Sequence, residues 1–105
     1  MPVEIREYYI VVRSSSHVNE AWTPYDVTGE YLVDLEKLPK RAKYGTETLA
    51  AEAVAVAEAK TAAHIAHLSA RLVPGDTQST VFETLSIYKS MEFKVARVAI
   101  TVDLL

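Results

Sequence analysis

The sequence predicts an α+β fold: a small antiparallel or mixed sheet, ordered strand-strand-helix-strand-strand, packed on one long alanine-rich helix. Three features predict it. Ile5 to Arg13 is β-branched and aromatic, with no glycine or proline, as strands are. Thr46 to Leu72 also lacks both breakers and is dominated by alanine, the strongest helix former. Phe93 to Leu104 alternates, with Ala96, Val98, Ile100, Val102 and Leu104 on one side and Arg97, Thr101 and Asp103 on the other. The 105 residues amount to less than one average domain, so residues 1–105 are expected to form a single unit.

Taken in order, Ile5–Arg13 is expected to be a central strand. Tyr8, Ile10 and Val12 face one way and Tyr9 and Val11 the other, so the face not covered by the helix also needs a cover, from the 14–44 segment or from a partner. Ser14-Ser15-Ser16 begins a polar connection through Trp22-Thr23-Pro24-Tyr25, and Asp26 to Gly29 reads as a turn. Glu30 to Leu35 is expected to be a second, shorter strand. Pro39 limits residues 34–43 to one helical turn at most. Gly45 and Pro74-Gly75-Asp76 bracket the long helix. Beyond it, Thr80–Tyr88 and Phe93–Leu104 are expected to be two strands joined around Lys89-Ser90-Met91-Glu92.

The helix carries the most information. Its 27 residues would span ~40 Å, whereas a compact domain of this length is only about 30–35 Å across. A straight helix would therefore overhang its own domain. At about 100° per residue its side chains fall into three stripes. Ala50, Val54, Ala57, Thr61, Ile65, Leu68 and Leu72 form the one assigned to the sheet. Leu49, Ala53, Val56, Lys60, His64, His67 and Arg71 are apolar first and basic later. Ala51, Ala55, Ala59, Ala62, Ala66 and Ala70 are alanine throughout. Two readings of that last stripe stand side by side. Exposed alanines simply favour helix, or else a ridge of small residues lets the same helix of a second copy approach closely. On the second reading Leu49 and Val56 join the interface.

Composition narrows the function. With no cysteine, a disulfide framework, an all-cysteine zinc site and a thiol nucleophile are excluded. The N-terminal residues carry no secretory signal pattern, and the apolar stretch Leu49–Ala59 is too short to cross a bilayer. A soluble cytoplasmic protein is expected, with no membrane partner. A net charge of −3 gives no general attraction to nucleic acid or anionic lipid.

Four clusters were candidates for chemistry. His64 and His67 sit one helical turn apart, but Lys60 and Arg71 flank them and repel a cation, so no metal and no cofactor is expected. Ser14-Ser15-Ser16-His17 with Asp26 supplies triad residue types without a nucleophile turn, so no catalytic residue is assigned. Lys37, Lys40, Arg41 and Lys43 precede a helix start and offer an anion contact, opposed by Glu47 in the first turn. Finally, five acids and no base lie between Glu20 and Glu36. There Trp22, Tyr25, Asp26, Glu30 and Tyr31 form the best partner-binding surface, since aromatic anchors and clustered carboxylates suit a basic partner.

The strand Glu7–Arg13, Trp22 before a turn, the short strand Tyr31–Leu35, the helix opening Gly45-Thr46-Glu47-Thr48-Leu49-Ala50-Ala51-Glu52-Ala53 and a strand with Val95-Ala96-Arg97-Val98 together resemble small orphan proteins of phages and mobile elements. The resemblance implies a sheet packed on a helix, and a virion part or a host-directed inhibitor acting in the host cytoplasm. It transfers no catalytic residue. The leading expectation is a non-enzymatic, self-associating assembly protein that forms a homo-oligomer. The alternative is an inhibitor that binds a host protein through the acidic and aromatic segment. A small-molecule enzyme comes third.

Overall fold

The computed structural model describes residues 3–75 and 79–104. Asp76, expected in the turn after the long helix, lies outside them. Four strands, β1 (Val3–Ser15), β2 (Glu20–Asp26), β3 (Tyr31–Leu32) and β4 (Met91–Asp103), form one antiparallel sheet in the order β3-β2-β1-β4. Two helices, α1 (Glu47–Arg71) and α2 (Thr80–Ser90), pack against it. The class is α+β as expected, while the topology differs in two places.

The first difference is the second strand. It is Glu20–Asp26, where a polar connection was expected, and only Tyr31–Leu32 of the expected Glu30–Leu35 strand pairs. Pro24 hid it. Proline is tolerated in a strand when no ladder donor is needed from it. Here Pro24 gives the β3 side only its carbonyl, accepting from Val33 N–H at 3.0 Å. Tyr25, opposite Val11, anchors the strand to the core.

The second difference is Thr80–Ser90, a helix where a strand was expected. Ser79 accepts from Phe82 N–H at 3.1 Å as an N-cap, and Val81, Phe82, Leu85 and Tyr88 recur at helical spacing. α2 then passes directly into β4 with no loop between Ser90 and Met91. Ser15 and Ser90 hydroxyls, 2.6 Å apart, fix that corner beneath the fully buried Ser15.

Both faces of β1 are covered, by different parts of the chain. Val11, Tyr25 and Val27 meet Ala53 and Ala57 of α1 on one side. Ile10 meets Leu38 and Ala42 on the other, where two 3-10 turns, Leu35–Lys37 and Lys40–Ala42, flank Pro39. The 14–44 segment thus provides the cover that the two-sided strand required. Tyr44 then exchanges backbone bonds with Tyr9, 2.8 Å each way, and leads the chain across to α1. Thr46 caps that helix by accepting from Leu49 N–H at 3.2 Å. Thr46→Ala is expected to cost about 1 kcal/mol in urea unfolding; an unchanged midpoint would show the cap to be idle.

The overhang is real and occurs at both ends. The molecule measures 66 × 23 × 17 Å. The buried residues of α1 are Ala50, Ala53 and Ala57, all in its first half. Its second half pairs with α2 and projects past the Ser15–Met91 end of the sheet. At the opposite end, Val3–Glu7 pairs only with Ala99–Asp103, a two-stranded ribbon beyond the last covering element at Tyr44.

Candidate interaction surfaces

The stripe assigned to the sheet is the buried or half-buried side of α1 throughout, from Ala50 to Leu72. Ala53 joins it, so the second stripe is split: Ala53 belongs to the core while Leu49 and Val56 are exposed. All six alanines of the third stripe are exposed. One of them, Ala62, lines a cleft of about 540 Å³, open to solvent, with Ile65 of α1, Tyr88 of α2, and Met91 and Phe93 of β4. Glu58, Lys89, Glu92 and Lys94 rim it.

The acidic and aromatic segment does not present one continuous surface. Tyr25 and Asp26, expected to meet a partner, are 7% and 1% exposed. Tyr25 is turned inward because its ring tilts against Phe93, centroids 5.2 Å apart, with the Arg13 guanidinium 5.1 Å from its own centroid. Burial raises its hydroxyl pKa, against the nearby Arg13 charge. Arg13 is held in turn by Glu20 through two bonds of 3.0 Å. Trp22 and Tyr31 remain exposed, Trp22 beneath the Lys94 ammonium at 4.8 Å. Glu30 lies 3.1 Å from His64 Nε2, and His64 stacks on Tyr88.

Asp26 is instead the organiser of its turn. One carboxylate oxygen accepts from Thr28 N–H at 3.1 Å, and its carbonyl accepts from Glu30 N–H at 2.8 Å. The other oxygen accepts from Arg41 Nε and Nη2 at 3.0 and 2.8 Å. Burial alone would raise its pKa. The Arg41 bonds, the Gly29 N–H, the Tyr31 hydroxyl and the Arg41 charge together outweigh that and hold it below 3.8.

This pair also corrects the basic cluster. Arg41 is committed to Asp26 and Tyr31, and Lys43 lies over the Tyr8 ring at 5.4 Å, so Lys37, Lys40, Arg41 and Lys43 do not converge on one anion. The serine-histidine types are likewise scattered. Ser15 bonds Ser90, His17 lies 3.1 Å from Glu83, and Asp26 holds Arg41. Among the described residues no three His, Asp or Glu side chains gather as a cation site, and no helix is long and apolar enough to cross a membrane.

Sequence reasoning missed the cleft and the open edge of β4 beside it. The signal for both was the helical spacing from Val81 to Tyr88, because a strand there would have covered that edge. Compared with protein-family models, with curated protein sequences and with solved structures, the chain matches none.

Proposed function

We propose that this chain is a non-catalytic, self-associating assembly protein that works as a homo-oligomer. Shape carries the reading. A compact chain of this size has a radius of gyration near ~13 Å, whereas this one measures 17.2 Å. Both projecting ends leave apolar side chains in water: Ile5 is 65% exposed and Ile100 45% on the ribbon, and Val73 is 63% exposed past the helix end. Burial of such surface between copies supplies the hydrophobic gain that a thin core forgoes.

An enzyme reading wants a closed pocket around a group of displaced pKa. Of the groups with displaced pKa, Asp26 and Arg41 are tied into an ion pair, while Tyr25 and Arg13, the latter held by Glu20, line a small pocket of about 180 Å³ with Glu30, His64 and Tyr88 beside the open cleft. A virion or accessory role, which the resemblance implies, is one setting for assembly. Light scattering on the full chain at high micromolar concentration is expected to give a multiple of 11.6 kDa. A monomeric mass there would overturn the proposal.

A further inference from the structure

β4 borders the sheet, and no described element pairs with its outer side. The Tyr9–Tyr44 bridge reveals which backbone groups face that side. Because Tyr9 gives both its N–H and its C=O to Tyr44, it points away from β4. Strand alternation then turns Tyr8, Ile10 and Val12 toward β4. Their partners Val98, Ala96 and Lys94 point inward, which leaves Phe93, Val95, Arg97 and Ala99 directing their N–H and C=O groups outward.

Of the usual guards, β4 carries charged side chains, at Glu92, Lys94, Arg97 and Asp103, but neither a bulge nor a proline. Its pairing with β1 runs unbroken from Ser15–Met91 to Val3–Asp103. Lys94, of the type that commonly blocks an edge, is folded back over Trp22. An unbroken ladder of donors and acceptors is complementary to one thing, another extended strand.

The helix above the edge says which strand. α1 lies over the β1–β4 pair and touches both. A strand added to β4 would sit ~4.8 Å away. If that strand is β4 of a second copy, a two-fold axis between them sets the two α1 helices about 9–10 Å apart, within the ~8–10 Å of packed helices. Small side chains favour that spacing. On the cleft side α1 presents Ala62, with Ala51 and Ala55 close to its azimuth, and one longer polar side chain, Glu58, which rims the cleft with Lys89 and Lys94. The cleft between α1 and the edge is then the space that side chains of the added strand fill. Over Met91–Val98, where the sheet is covered, a wall of 17 Å height spans on the order of 450 Å², to which the bare ribbon Ala99–Asp103 adds its own edge.

We infer that β4 of one copy pairs antiparallel with β4 of a second copy across a two-fold axis, making one continuous eight-stranded sheet with two α1 helices side by side. The inference rests on the self-association reading above and adds which surface performs it. Three variants of the full chain test it by gel filtration with light scattering, with far-UV circular dichroism reporting the fold. Arg97→Pro removes a donor that faces outward and so breaks no bond within the sheet. Ala55→Arg places a large charged side chain where the helices meet. Both are expected to halve the mass while the spectrum stays unchanged. Because the chain has no cysteine, Ala55→Cys carries a unique thiol. It is expected to be joined to its copy by a short bismaleimide, while His67→Cys, on the opposite side of α1, is not.

A monomeric wild type overturns both the self-association reading and this inference. A dimer that persists in folded Arg97→Pro and Ala55→Arg, with no crosslink through Ala55→Cys, overturns only this inference and assigns assembly to another face. If Arg97→Pro alone loses its spectrum, the Ala55 variants decide.

Discussion

Asp26→Ala is expected to lower the stability of the chain by about 2–3 kcal/mol, the cost of removing a buried charged acceptor whose donors stay behind. Thr28 N–H and the Arg41 guanidinium lose their common partner, and the turn to β3 loses what shapes it. Arg41 is half-exposed and can turn to water, so the loss falls on the turn rather than on a stranded cation. The pH dependence has a definite sign. The folded-state pKa of Asp26 lies below its ordinary 3.8, so the ion pair contributes in full above that value. The contribution disappears as the pH falls from 3.8 through the lower folded-state value. Asp26→Asn should therefore be less stable than wild type near neutrality, and the gap should narrow in acid. Urea midpoints across that range measure it; parallel curves for the two proteins would rule the account out.

Ala57→Leu is expected to destabilise by about 1–3 kcal/mol, through overpacking rather than through any change in helix propensity. Ala57 is 2% exposed and faces Val11, which is wholly buried. α1 lies close to the sheet because the fully buried residues of the helix are all alanines, at 50, 53 and 57. Leucine there must push the helix away, lifting Ala53 and Val54 from Tyr25 and Phe93. The same change at Ala59, on the exposed side, adds a side chain to solvent and should move the thermal midpoint little. Equal losses at both positions would mean that the alanines act through propensity alone.

The contrast between those two alanines shows where the sequence was legible. Periodicity separated the sheet-facing stripe of α1 from the outer one, since a helix interior repeats every 3.6 residues regardless of its neighbours. β1 and β4 were readable for the related reason that their period is two. α2 was not, because Thr80, Val81, Phe82, Ile87 and Tyr88 are the residue types that favour strands, and only their spacing and the cap at Ser79 betray a helix. β2 was masked by Pro24, which is harmless only because of which neighbour its missing N–H would have faced. The candidate site was less legible still. Asp26 and Arg41 are fifteen positions apart, and nothing local says that they meet; once they do, an apparent binding carboxylate and an apparent anion ligand neutralise each other. An open edge is invisible in a sequence, since it depends on which strand lies last in the sheet.

The pairing of β1 with β4 sets the order in which the protein can be made. Val3 lies opposite Asp103, a hundred positions later, and every pair in that ladder is at least seventy-six positions apart. Contacts of such separation slow folding, because loop closure must come before any of them gives a return. During synthesis Tyr8, Ile10 and Val12 leave the ribosome long before their partners exist. The segment from Val33 to Ala42 follows them within some thirty residues and packs on that same side. It can cover that face of the central strand before β4 is made, and it keeps the face covered in the finished fold.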